Sequence, residues 1–411
     1  MKVLHITTSD SGGAGLCALR IHKSMLDAGV DSNMLVANKS SDLPSVFVAK
    51  ESDLNQYIPP KNKLLRKTKK LLRKRGVCLT TLERYQIETA CLAGKAFYTF
   101  PLSHFRLDKH PLVAEADLLH LHWVANYVDY PTFFPNIDKP IVWTFHDENI
   151  GMGGFHYQRD KAKFGHLCKD IEEEIIGVKQ QALKEFQGKL RVIAISNQMQ
   201  RYLSNILLVG NYPITVINNS VDGSAFRPVV DKETAKQVFG IPKSNLVFAF
   251  CSVSLKDERK GLKELIAALE RLNREDMTLI CAGGDNLPVE TKLNVIQTGV
   301  LGNERLLSLF YSCADYFVMP SFQEAFAQTP LEAMACGVPV IAFPCSGMEE
   351  LITKTNGVQC DDFTVDALYN GIRSAMNRQF DAKEIRQDMI ERFSPEKIAK
   401  QYLDIYKEML D

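Results

Sequence analysis

At 411 residues the chain is longer than one ordinary hydrophobic core supports, so two domains are expected. With 45% apolar and 24% charged residues it has the composition of a soluble globular protein. It offers no run of about 18 apolar residues to span a bilayer and no signal-peptide pattern at its start, so a cytoplasmic protein is expected. Ten cysteines without a C-x-x-C pair, several inside apolar runs such as VFAFC and TLICAG, read as buried free thiols, neither disulfides nor a zinc site.

In chain order, the first predicted element is the strand KVLHIT, followed by a glycine cluster and a helical pattern from 15 to 28. Gly13, Gly15 and Ala18 fit G-x-G-x-x-A, which places a pyrophosphate on a helix N-terminus. The dinucleotide version of that fingerprint needs a glycine directly off the strand and an acid about 20 residues on. Here TSDSG intervenes and the next strand, in SNMLVANK, ends at Asn38, so the loop suits another phosphate-bearing ligand or is a plain turn. Residues 61–75, KNKLLRKTKKLLRKR, carry nine basic and no acidic side chains in a chain of zero net charge. Leu64, Leu65, Leu71 and Leu72 would give a helix there a narrow apolar stripe under a cationic face. That pattern suits an anionic membrane surface, with a solvated helix as the alternative; no aromatic residues interleave the charges, so nucleic acid is not expected.

Strands LLHLHWV, IVWTFH and RVIAIS complete a first β/α series; IVWTFH ends on His146 and leads into Asp147, Glu148 and a GMGGFHY loop expected to be flexible. Asn, Asp, Gly, Ser and Pro then cluster over 216–228, and a second series follows: LVFAFCSVS, MTLICAGG, VIQTG, YFVMPS and VPVIAF. Two β/α series imply two doubly wound domains with mainly parallel sheets, expected over 1–213 and 214–392, with 393–411 a helix returning to the first. Ligands of such sheets collect at the carboxyl ends of the strands, so two facing sheets would enclose a cleft between them.

The most informative stretch is PSFQEAFAQTPLEAMACGVPVIAFPCSGMEEL, 320–351. Glu324 and Glu332 stand eight positions apart, one in a loop and one on a helix beginning near Thr329 or Pro330. Two carboxylates could thus face one polar ligand, while the helix start offers N–H groups to anionic oxygens. Two solvated acids beside a buried helix is the plainer reading. Further upstream, Arg259-Lys260-Gly261 opens a helix, where cations oppose the dipole unless an anion sits there.

Glu324 to Ala342 resembles the E-x7-E and E-A-M-A-C-G-x-P-V-I-A hallmark of the retaining nucleotide-sugar glycosyltransferases of family 4, of the bacterial surface-polysaccharide type. The resemblance also covers the opening glycine loop, T-x-H-D at Thr144 to Asp147, V-I-x-N-x-x-D-x-x-x-F at Val216 to Phe226, R-K-G at 259–261 and F-S-x-x-x-x-A-x-x-Y at Phe393 to Tyr402, nearly the whole chain in order. It implies an α/β GT-B fold of two facing Rossmann-like domains with an interdomain cleft. It further implies that Glu332 holds the nucleotide ribose, Glu324 lies by the donor sugar, and the backbone of Phe326, Ala327, Gln328 and Thr329 contacts sugar and phosphate. Gly13 and Gly15 line the donor, Lys260 neutralises the departing diphosphate, and His146 sits beside the donor sugar and the attacking hydroxyl, with Asp147 and Glu148 on the acceptor side. Relatives carry an arginine in a G-R-L segment before that lysine; this chain has Ser252-Val253-Ser254-Leu255, leaving Lys256 or Arg259 for the second charge. Relatives also often place a cysteine where Phe155 stands, so any cysteine cluster is missing here.

The implied reaction moves a sugar from a UDP- or GDP-linked donor, a co-substrate rather than a cofactor, to a saccharide or lipid-linked saccharide acceptor, with retention and without a metal. Cationic and backbone stabilisation of the leaving diphosphate would be the largest protein contribution. Residues 61–75 would make the protein peripheral on the inner face of the cytoplasmic membrane. Two other readings stand beside it: a nucleotide-sugar epimerase of the same fold, which would isomerise donor with no acceptor present, and a catalytically silent nucleotide-sugar-binding subunit.

Overall fold

A computed structural model describes residues 1–49 and 80–411. The basic stretch 61–75 and Cys78 lie outside the described residues.

The first parallel sheet is built from β1 (Lys2–Ser9), β2 (Asp31–Asn38), β3 (Val46–Val48), β4 (Leu118–Leu121), β5 (Ile141–Phe145), β6 (Leu190–Ala194) and β7 (Ile214–Val216) in the order β3-β2-β1-β4-β5-β6-β7. The second contains β8 (Leu246–Ser254), β9 (Met277–Gly284), β10 (Val295–Gly299), β11 (Tyr316–Met319), β12 (Val340–Ala342) and β13 (Gly357–Gln359) in the order β10-β9-β8-β11-β12-β13. Both orders reverse direction once, between β1 and β4 and between β8 and β11, and those switch points open a crevice beyond the strands' carboxyl ends. The central strands β4, β5, β11 and β12 are buried at every residue, as parallel strands covered on both faces must be; β11 and β12 are wholly apolar, while β4 and β5 are apolar apart from His120 and Thr144, whose side chains bond each other at 2.8 Å. Of the thirteen described strands, β3, β7 and β13 have three residues each and edge their sheets, too short to show any periodicity.

The chain folds as two compact units, one of residues 1–195, 199–217 and 399–411 and the other of 196–198 and 218–398. The end of the last helix, Pro395–Leu410, belongs to the first unit because its tyrosines bond into that core: the Tyr406 hydroxyl lies 2.6 Å from His120 Nδ1 and the Tyr402 hydroxyl 3.1 Å from Thr144 Oγ1. Most described cysteines are buried thiols, but Cys91 is exposed and Cys251 half-buried, so burial is not general. Among the described residues no helix is long and apolar enough to cross a membrane.

Candidate active site

In the second unit the chain leaves β8 through a short 3-10 turn, Glu258–Lys260, and enters the helix Leu262–Glu270 at Gly261. Gly261 has φ +72°, and a Cβ there would lie 2.0 Å from the Pro320 carbonyl oxygen. Only glycine therefore lets this turn rest against the loop after β11. The Phe322 N–H completes the clamp by donating to the Arg259 carbonyl at 2.8 Å. The result brings two residues 64 positions apart together, with Lys260 Nζ 2.5 Å from Glu324 Oε1. Burial pushes the Glu324 carboxyl up, but the Lys260 charge and hydrogen bond, with Arg259 adding to the field, outweigh it and hold the acid ionised below the usual carboxylate range.

Arg259 is half-buried and donates to Asp257 at 2.7 Å, whereas Lys256 is exposed; of the two candidates for the second charge, Arg259 is the one whose field reaches Glu324. The loop beyond Glu324 is fixed by neighbours: the Ser346 hydroxyl donates to the Ala325 carbonyl at 2.8 Å and Asn219 Nδ2 to the Phe326 carbonyl at 3.1 Å. Ala327 is the N-cap of the helix Gln328–Ala335 and brings no side chain to close it. Glu332, within that helix, is buried and accepts from the Tyr311 hydroxyl at 3.1 Å, so it is not a solvated acid.

In the first unit TSDSG is not the long loop expected, because β1 runs on through Ser9 and only Asp10 and Ser11 lie between strand and helix. Thr8 donates through its N–H to the Trp123 carbonyl at 2.8 Å and through its hydroxyl to the Ala125 carbonyl at 2.8 Å, while Asp10 accepts from the Ser40 and Ser41 N–H groups at 2.6 and 2.9 Å. The helix then starts at Gly12. Gly13 faces open space, but a Cβ at Gly15 would lie 2.5 Å from the Ser9 carbonyl oxygen, so packing of helix on strand accounts for that glycine.

His146 follows β5 with its Nε2 3.4 Å from His122 Nδ1. Burial lowers its pKa to about 4 against the opposing charge of Asp147, so the ring is neutral at neutral pH. Asp147 is held within the fold, accepting from Trp123 Nε1 at 2.8 Å and the Asn149 N–H at 3.0 Å, with His156 Nδ1 at 2.5 Å. Glu148 accepts from the Gln158 N–H and side-chain amide, both at 3.1 Å. A cavity of about 30 Å³, lined by His122, Trp123, His146, Asp147 and His156 among others, has room for a water molecule or two.

The loop expected to be flexible is instead pinned. The Gly153 and Gly154 N–H groups donate to Glu172 at 3.1 and 2.5 Å, and the buried Lys179 ammonium donates to the Asn149 carbonyl, the Asn149 side chain and the Met152 carbonyl at 2.7, 2.9 and 2.9 Å. Its glycines are there for space, since a Cβ on Gly154 would lie 2.2 Å from the Tyr98 ring.

Residues 231–393 match the family model for glycosyl transferases group 1. That span holds the Lys260–Glu324 pair, Glu332 and the loop between them. The second unit carries a group 1 glycosyltransferase domain. The uncharacterised glycosyltransferase MJ1607 of Methanocaldococcus jannaschii is 24% identical over 72% of this chain and 76% of its own length. The lipopolysaccharide core biosynthesis mannosyltransferase LpsB of Rhizobium meliloti is 34% identical over 39% of this chain, which spans about half of LpsB (47%). Among solved structures, the sucrose-phosphate synthase of Thermosynechococcus elongatus superposes with a TM-score of 0.64 at 18% identity over 100% of this chain and 99% of its own. Anabaena HepE in complex with UDP and glucose does so with 0.64 at 19% over 99% and 100%. The fold is therefore GT-B, two Rossmann-like domains with parallel sheets.

Sequence reasoning missed two sets of residues around the group 1 domain's candidate site and its counterpart in the first unit. Asn219 and Tyr311 support the loop and Glu332 from distant positions; Asn219 is the fixed asparagine of the V-I-x-N-x-x-D-x-x-x-F stretch, which reads as a connection and was given no role of its own. The second set is a buried group of histidines, His5, His22, His120 and His122, whose only sequence signal was a histidine within each of two apolar strands. Among the described residues, His5, His120 and His122 are the one set whose ligand atoms, all within 4.8 Å, could converge on a metal ion. Both His120 nitrogens are already engaged, however, by the Tyr406 hydroxyl at 2.6 Å and the Thr144 hydroxyl at 2.8 Å.

Proposed function

We propose that the protein transfers a sugar from a nucleoside-diphosphate sugar to a hydroxyl of a saccharide or lipid-linked saccharide, with retention at the anomeric carbon and without a metal. The observation that carries the reading is the Lys260–Glu324 pair, 2.5 Å apart inside the group 1 domain, at the carboxyl ends of β8 and β11 where the second sheet switches direction. An ionised acid held there accepts sugar hydroxyls, and the lysine beside it is in place to meet the charge that grows on a departing diphosphate.

In this reading Glu324 orients the donor sugar, Lys260 and Arg259 neutralise the diphosphate, and the N-terminal turn of Gln328–Ala335 receives phosphate or sugar oxygens. Glu332 takes the ribose hydroxyls. The first unit contributes His146 as a neutral polar group toward the sugar, and Asp147 acts by holding Trp123, His156 and Asn149 in place. A bacterial surface saccharide is the acceptor class supported by relatives whose names include a lipopolysaccharide core mannosyltransferase and a Campylobacter jejuni enzyme acting on a diphospho-undecaprenol-linked sugar.

The test uses UDP- and GDP-sugars as donors. Turnover that needs an acceptor, and a product with the donor's anomeric configuration by NMR, are expected; donor isomerisation without acceptor would replace this reading by an epimerase, and tight binding with no turnover by a silent binding subunit. Lys260→Ala is expected to lower kcat about 100-fold while changing donor affinity less, because diphosphate charge grows toward the transition state. An equal loss in kcat and affinity would remove the leaving-group role.

A further inference from the structure

Three imidazoles stand in line from the interior of the first sheet to its carboxyl edge. His5 on β1 has its Nδ1 3.0 Å from Nε2 of His122, and His122, just past β4, has its Nδ1 3.4 Å from Nε2 of His146, just past β5. His5 and His122 are almost wholly buried, and their rings stack at 5.3 Å with planes 15° apart. The neighbouring imidazoles pack against these rings, His120 at 4.0 Å from His122 and His22 at 5.4 Å from His5, but hydrogen-bond elsewhere: His22 lies 2.7 Å from the Ser32 hydroxyl and 2.8 Å from that of Ser45, and His120 is engaged by Tyr406 and Thr144. At the inner end, His5 Nε2 is buried with no hydrogen-bond partner among the described residues.

That orphan decides the direction of the chain. Burial, followed by the neighbouring imidazoles' charges, keeps His5 and His122 neutral, so each ring carries one N–H. If protons ran inward, from His146 to His122 to His5, the last N–H would sit on His5 Nε2 in the core with nothing to accept it. Run outward, His5 Nδ1–H donates to His122, His122 Nδ1–H donates to His146 Nε2, and only an unused acceptor lone pair is left on His5 Nε2. A buried donor without an acceptor is the rarer and costlier of the two.

We infer that the His5–His122 chain is a positioning device that fixes His146 as its Nδ1–H tautomer, so that His146 presents a hydrogen-bond donor and no free basic nitrogen to its ligand. On the proposed reaction, which this inference rests on for its meaning, His146 donates to a sugar or acceptor oxygen and does not take the proton of the attacking hydroxyl. That proton must leave by another route. His5 and His122 touch no substrate and act through His146.

The test is ¹⁵N NMR of histidine-labelled full-length protein at neutral pH, which reads the tautomer of each ring and needs no substrate. Its failure and failure of the glycosyltransferase reading are therefore separate outcomes. His146 is expected as the Nδ1–H form. His122→Phe, which deletes the donor to His146 Nε2, is expected to move the His146 proton to Nε2, whereas His122→Asn, whose amide nitrogen stands near the place of Nδ1, is expected to keep it on Nδ1. Wild-type His146 in the Nε2–H form, or the same tautomer in wild type and His122→Phe, would overturn the inference. So would one equivalent of zinc in the purified protein, since the lone pairs of His5 and His122 would then serve a metal.

Discussion

Glu332 shows how burial changes what a substitution reports. The carboxylate is buried and is the acceptor for the Tyr311 hydroxyl, itself fully buried, so Glu332→Ala would remove the proposed ribose contact and also take that hydroxyl's acceptor, at about 1–3 kcal/mol of stability. Glu332→Gln keeps an oxygen for Tyr311 and removes only the charge. It is expected to leave the melting temperature near wild type and to weaken UDP or GDP binding roughly tenfold, the worth of a lost charge-assisted hydrogen bond to ribose hydroxyls. Calorimetry with both nucleotides checks this, and unchanged affinity for each would remove the ribose role. Lys179 makes a complementary case in the first unit. Burial, against the charges of Asp147 and Glu172, lowers its pKa to about 7. The unfolded chain, with lysine near its ordinary value of about 10.4, thus binds more protons between those two limits, and stability rises with pH wherever that is so. Wild type is expected to gain stability over Lys179→Met as pH climbs from about 7 toward 10, by at most ~1.4 kcal/mol per pH unit, and to show a constant difference below 7. Urea denaturation across that range would expose a flat difference if the ammonium were not taxed by burial.

Turns, more than helices or strands, place the candidate site, and two glycines separate packing from ligand approach. Gly261 has φ +72° with a Cβ position 2.0 Å from a backbone oxygen, so Gly261→Ala must shift the loop that carries Glu324. A loss of at least ~2 kcal/mol in stability is expected from the left-handed backbone and the clash together, with turnover reduced even where the protein remains folded. Gly13 sits in the first turn of the helix Gly12–Asp27 with nothing among the described residues within 4 Å of a Cβ. Gly13→Ala is expected to leave stability unchanged or raise it by up to ~1 kcal/mol, so any fall in donor affinity would report a ligand at that turn. Denaturation of the two variants side by side, with UDP titration, distinguishes a turn that packs from one that binds.

At the scale of the whole molecule the chain has zero net charge, yet nine of its basic residues stand together at 61–75. On the proposal that this stretch meets an anionic membrane carrying the acceptor, binding to phosphatidylglycerol vesicles should fall steeply with salt, since the surface potential decays over about 8 Å at physiological ionic strength. Replacing Lys67, Lys70 and Lys74 with glutamate should release the protein from vesicles while UDP and GDP affinity is kept. Equal sedimentation of the variant and the parent would leave the stretch a solvated segment.

The fold class was legible in the residues because a parallel strand buried on both faces must be an apolar run, and VFAFC, TLICAG and YFVM announce such strands without any help from three dimensions. Glu324, Glu332 and Lys260 stood out in the sequence as an acid after a strand end, a second acid eight positions on and a cation at a helix start, within the stretches that carry the family resemblance. The edge strands β3, β7 and β13 were not, because three residues carry no period. Only the tertiary structure decided that Lys260 and Glu324 meet, that Asp147 bonds Trp123, Asn149 and His156, that the glycines at 151–154 serve packing, and that three histidines from separate segments form one line. Each of those facts depends on distances between segments dozens of residues apart, which are set by the order of strands in a sheet; local sequence determines that a strand forms, and the packing of the whole sheet determines which side chains it brings within reach of one another.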